Sequence, residues 1–97
     1  MNSFQKSRAH LDWVQSLDVG DAVQIVDTSG SGKAQGFNVI SLYCQVTFID
    51  GDGRIRVRHL GERKDMLFSG DGHGAIEVET GTVYLSWLLW KEGWDPG

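Results

Sequence analysis

Arg54, Arg56 and Arg58 alternate with Ile55, Val57 and His59, a period of two that sends three guanidinium groups to one face of a strand and the residues between them to the other. With Arg63 and Lys64 close behind, residues 54–64 carry five cations and a single carboxylate, Glu62, while the rest of the chain holds four basic residues against twelve acidic ones. The net charge of −4 therefore conceals a bipolar chain. Such segregation suits docking onto an anionic partner or pairing with the chain's own acidic loops, and composition alone does not separate the two.

Other spacings point to chemistry less well. Cys44 falls opposite His59 if the two strands pair around a reversal at 50–53, and a thiol beside an imidazole is the start of an activated nucleophile. No third residue or oxyanion hole accompanies it, and Leu42 and Val46 flank the cysteine on its own face, so an inert buried thiol is expected. Gly30-Ser31-Gly32-Lys33-Ala34 is close to a phosphate-binding loop, but Asp27 stands at the first glycine and Ala34 at the magnesium-binding hydroxyl. Asp50-Gly51-Asp52 opens like a calcium loop, yet Arg54, Ile55 and Gly61 occupy positions that need a ligand, a glycine and a glutamate. His10 and His73 have no partners at metal-ligand spacing. No cofactor and no metal are expected.

Trp87, Trp90 and Trp94 recur at helical spacing, i, i+3 and i+7, and Trp13 is a fourth tryptophan. Two readings stay open. The stripe either plugs a barrel end against the N-terminal helix or anchors a homodimer or protein partner, where tryptophan and arginine are the enriched residues.

These side chains need elements to hold them. At 97 residues, 40% of them apolar, the chain has room for one domain and one modest core. A single cysteine precludes an intramolecular disulfide and fits a reducing compartment, and no signal-peptide core or membrane span is visible, so a cytoplasmic protein is expected. Residues 3–17 read as a helix ending before Gly20, and residues 22–27 as a short strand. Residues 28–36 read as a flexible glycine-rich loop and 37–49 as a long strand that reverses at Asp50-Gly51-Asp52-Gly53. A four-residue loop there pairs Ile49 with Arg54, Phe48 with Ile55 and Val46 with Val57. Ile40, Leu42, Cys44, Val46 and Phe48 then face a core, with Tyr43, Gln45, Thr47 and Ile49 beside the arginines. Further strands are expected at 65–69, 75–79 and 81–85, with a mobile loop at 70–74 and a short helix or helical turn from Tyr84 to Trp94.

The lead helix, the segment Leu17-Asp18-Val19-Gly20-Asp21-Ala22-Val23 entering a first strand, the glycine-rich loop and the long hairpin together resemble a small SH3-like β-barrel. That group includes KOW and Tudor-like modules and many short proteins of phages and mobile elements. The resemblance spans about residues 17–85. No KOW glycine motif and no positioned aromatic cage accompany it, so it implies neither nucleic-acid binding nor methyl-lysine reading, and fold alone licenses no chemistry. The expected architecture is mainly β, a barrel of about five to six antiparallel strands with an N-terminal helix and a short C-terminal helical turn. It forms a single domain over 1–97, with the barrel at 20–85 and a C-terminal segment at 86–97. The expected function is a non-enzymatic binding module, a phage or mobile-element accessory that engages or inhibits a host protein or protein complex, a defence complex being one form. The alternatives are a nucleic-acid-binding barrel, with Tyr43 as stacking platform, and a binder of a small anionic ligand or nucleotide. Arg54, Arg56, Arg58, Tyr43, Arg63, Trp90 and Trp94 are the expected binding residues, and a homodimer is an admissible arrangement.

Overall fold

A computed structural model of the chain describes residues 3–28 and 38–94. The glycine-rich loop expected at 28–36 falls, but for Thr28, outside the described residues. One helix, α1 (Ser3–Gln15), precedes six strands: β1 (Ala22–Asp27), β2 (Asn38–Ile49), β3 (Ile55–His59), β4 (Lys64–Phe68), β5 (His73–Glu77) and β6 (Val83–Trp90). Successive strands pair antiparallel, and β6 returns to β1 to close the barrel. The small six-stranded antiparallel barrel supports the SH3-like fold. The six described strands thus form one closed sheet.

The interior is filled by Val23, Ile25, Val46, Val57, Phe68 and Leu89 with their neighbours, each at most 2% exposed. One barrel end is stopped by α1 and the turn after it, whose Val14 and Leu17 respectively join that core. The helix finishes in a turn where Ser16 N and Leu17 N donate to Trp13 O and Val14 O at 3.0 and 3.1 Å. The Val-Gly-Asp step then pins the chain to β2: Gly20 N donates to Val46 O at 2.8 Å, and Val46 N to Asp21 O at 2.9 Å.

The β2–β3 hairpin turns where expected but with a different register. Asp50 N donates to Arg54 O at 3.0 Å, which makes Asp50 and Arg54 the closing pair and leaves a three-residue loop, with Gly53 in the left-handed region at φ +85°. Ile49 therefore pairs with Ile55 and Phe48 with Arg56, one residue away from the expected pairing. A bulge between Val46 and Phe48 absorbs the difference and restores Val46 opposite Val57 and Cys44 opposite His59. Its consequence is a swap of faces. Phe48, expected in the core, is 56% exposed, while Ile49 packs against the interior. Ile40, also expected inside, is 40% exposed.

The C-terminal helical turn expected at 84–94 is replaced by β6, the strand that closes the barrel on β1. The pattern from Val83 to Trp90 misleads because β6 is buried on both faces near its end, where Leu88, Leu89 and Trp90 are all covered. It also carries an irregularity: His73 pairs with Leu88, yet Ala75 pairs with Tyr84. That shift places Tyr84 and Trp87, three residues apart, in contact with one core and mimics helical spacing.

Candidate functional site

Of the arginines, Arg56 and Arg58 leave β3 on its outer face, and the acids they meet are the protein's own. One carboxylate, Asp65 on the adjacent β4, receives both Arg56 Nη2 at 2.9 Å and Arg58 Nη1 at 3.1 Å. Arg54 Nε bonds Asp50 Oδ2 at 2.7 Å, and its Nη2 stands 3.9 Å from Asp52. The hydrogen bond from Arg56 is the main reason that the Asp65 carboxyl lies below its ordinary value, with Arg58 adding to it against partial burial. At Asp50, desolvation pushes upward but is outweighed by bonds from the Arg54 backbone and side chain and from Asp52 N. Arg54, Arg56, Arg58 and Lys64 thus stand within ion-pair distance of the chain's own carboxylates, Asp50, Asp52, Asp65, Glu62 and Glu77. Of the two uses that the charge segregation admits, pairing with the chain's own acids is the one seen here.

Arg63 occupies the β3–β4 turn with φ +58°, the one described residue other than glycine in the left-handed region, held by a 2.7 Å bond from its N–H to His59 O. Tyr43 is 70% exposed on β2, beside Leu60 at 51%, and the two are tied by a bond from Leu60 N to Tyr43 O. Cys44 does face His59 across the hairpin, but the thiol residue is 2% exposed and the imidazole is turned to Glu62. Glu62 N donates to His59 Nδ1 at 3.1 Å, and His59 Nε2 lies 3.8 Å from the Glu62 carboxylate. Further along this barrel end Lys64 stands 3.4 Å from Glu62 and 3.6 Å from the buried Glu77, and both carboxylates raise its pKa. The Tyr84 hydroxyl donates to Glu77 at 3.4 Å. Among the described residues no group of His, Cys, Asp and Glu is arranged to hold a metal, and no helix is long and apolar enough to cross a membrane.

The tryptophans do not share a face. Trp87 stacks on Tyr84 at 4.0 Å and 12°. Trp90, on the other side of β6, is 3% exposed and belongs to a second cluster with Val26 and Leu88, which Trp94 covers. Trp94 also lies 5.3 Å from Trp13 of α1. Of the two readings of these aromatics, packing against the N-terminal helix is the one found for Trp90 and Trp94. No partner reaches Trp90 without repacking, whereas Trp94 keeps some exposure.

A surface feature that the sequence reading did not contain emerges from the register. Phe48 pairs with Arg56, Arg56 with Leu67, Leu67 with Ile76 and Ile76 with Val83, so one outward row crosses five strands and is apolar at every position except Arg56. Ile76 is 41%, Val83 53% and nearby Leu85 81% exposed, and Val78, whose N–H bonds Asp65 O, adds another exposed apolar side chain. Neighbouring strands lie about 4.8 Å apart, so the row is roughly 19 Å long. The alternation of Ile76 with Val78 and of Val83 with Leu85 is visible in sequence, but not which parity faces solvent, because the β6 irregularity resets it.

Compared with protein-family models, with curated proteins and with solved structures, the chain matches none.

Proposed function

We propose that this chain is a non-enzymatic protein-binding module that docks through the outer face of β4, β5 and β6. The observation that carries the reading is the exposed apolar patch of Ile76, Val78, Val83 and Leu85, with half-buried Leu67 at its edge, since contiguous apolar surface on a small barrel is costly to leave in water and marks protein contact. Arg56 and Arg58, about 40% exposed, border the patch with Asp65 between them, and Arg63 and Lys64 lie beyond it. The partner that fits is a protein surface with an apolar centre and an acidic rim. A phage or mobile-element accessory that engages a host protein is the form we favour, on small size and the SH3-like resemblance. Binding of a long polyanion is less well supported, because the cations that would meet phosphates are already answered by the chain's own carboxylates and the rest of the chain is strongly acidic.

A photo-crosslinking amino acid placed at Leu85, with a control at Val19 on the 18–21 turn, tests the face in host lysate. The expected result is one dominant crosslinked protein from position 85, lost when Ile76 and Val83 are changed to Ser and retained when Arg54, Arg56 and Arg58 are changed to Ser. Crosslinking from position 19 alone would sink the proposal. Salt-sensitive retention of bare DNA or RNA, abolished by the triple arginine change, would shift the reading to nucleic acid.

A further inference from the structure

His10 is 4% exposed, and its Nε2 sits 2.6 Å from the carbonyl oxygen of Leu89 in β6. A carbonyl only accepts, so Nε2 carries the hydrogen. The ring stacks on Trp90 at 5.5 Å and 25° and is bordered by Trp13 at 5.9 Å, Trp94 at 6.3 Å and, edge-on, His73 at 5.3 Å. Leu89 is the meeting point of three elements. Its carbonyl takes the helix histidine while its N–H donates to Gly72 O at 2.9 Å in the β4–β5 turn. Below this contact, Leu11, Val14 and Leu17 of the helix segment face Ile49 and Ile55 and the turns at Gly53 and Gly70 across a cleft of about 360 Å³. The helix therefore spans the barrel end beside this cleft, and His10 is its polar attachment to β6.

The charged and titratable groups around this ring, among the described residues, are Asp71 and His73 of the β4–β5 turn, Lys91, whose Nζ is 6.0 Å from the Trp94 ring, and the exposed Arg8 and Asp12 of α1. Burial is the largest influence on His10 and disfavours its cation; the Leu89 carbonyl favours it, His73 opposes it and Asp71 favours it, and the balance lies below the ordinary value.

We propose that His10 is a proton-operated latch: as a neutral ring it ties α1 to β6, and on protonation the cation, buried at 4% exposure and cut off from water, favours release, so that α1 lifts from the barrel end and bares Ile49 and Ile55. The barrel, closed by its own ladder of strands, persists. The coupling has a definite sign. A histidine whose docked form resists the proton stabilises the docked state fully above its free value of about 6.5, and that advantage is lost as pH falls from there through the lower docked value. Within that window the docking constant drops by up to tenfold per pH unit.

The experiment is a pH titration of the full chain followed by NMR of the histidine ring protons, by tryptophan fluorescence and by backbone amide spectra. The expected result is that His10 titrates below 6.5, that fluorescence changes with the same midpoint because Trp13, Trp90 and Trp94 lose their contacts, and that strand amides stay dispersed. His10→Gln, which keeps an N–H donor but does not titrate, should remove the fluorescence transition, and His73→Gln should raise the His10 midpoint by relieving a like charge. The proposal is overturned if His10 titrates at or above 6.5, if the transition survives in His10→Gln, or if strand dispersion collapses together with the helix. Should His10→Gln not fold, the ring titration of the unaltered protein decides alone.

Discussion

Gly72 has φ +81°, and a Cβ there would stand 2.8 Å from Val14 Cγ2 and 3.2 Å from His10 Cε1. It is the point where the turn and the helix touch without side-chain thickness between them. Gly72→Ala should cost about 2–4 kcal/mol, combining left-handed strain with overpacking. Gly81 shares the backbone conformation at φ +77° but meets nothing within 4 Å, so Gly81→Ala should cost only about 1 kcal/mol. Equal losses of thermal stability in the two variants would show that the α1 contact is not formed. At Cys44, 2% exposed, a thiol reagent should label the native protein far more slowly than the unfolded chain. Labelling within seconds would contradict the packing of the β2–β3 hairpin.

The strands decide which large side chains matter. Phe48 and Phe68 are the same residue in strands of similar pattern, yet the bulge turns Phe48 outward at 56% exposure while Phe68 is fully buried. Phe68→Ala should cost about 3–5 kcal/mol and Phe48→Ala less than about 1 kcal/mol in denaturant unfolding. Comparable costs would restore the simple alternation in which both face the core. In β6 the same logic separates Trp87 from Trp90. A helical stripe would put them on one surface, whereas the strand gives one to Tyr84 and the other to Val26, Leu88 and Trp94.

Across the whole molecule, charge is arranged as internal neutralisation. The Asp65 carboxyl is held below its ordinary value by its arginines. A carboxyl depressed in the folded state contributes stability that is present above the unfolded value near 3.9 and is lost as pH falls through the lower folded value. Asp65→Asn should therefore flatten acid denaturation in the region below about pH 4, measured by circular dichroism. Replacing Arg54, Arg56 and Arg58 together by Ser should lower stability modestly, and by less at high salt. An unchanged melt at low salt would mean that these ion pairs contribute nothing. An unchanged melt at both salts with lost partner capture would return the arginines to the interface.

The sequence alone determined the helix before Gly20, the strand at 22–27, the long strand expected at 37–49 and described from Asn38 to Ile49, the reversal at Asp50–Gly53, the burial of Cys44 and the mainly-β barrel, because each rests on local periodicity and turn chemistry. It also put Cys44 opposite His59, since a bulge that shifts one end of a hairpin leaves the other end in register. Only tertiary structure decided the rest. Whether Phe48 or Ile49 faces inward depends on one extra residue in β2, and whether Tyr84 to Trp90 is helix or strand depends on β1 being there to pair with it. The fate of the arginines depends on Asp65, which sits directly opposite Arg58 only because β3 and β4 are joined by a tight turn. The apolar row from Phe48 to Val83 is a property of five strands in register, and no single strand contains it. Spacing along a chain is local physics, but a surface is assembled from segments far apart in sequence, and their alignment is set by the pairing that closes the barrel.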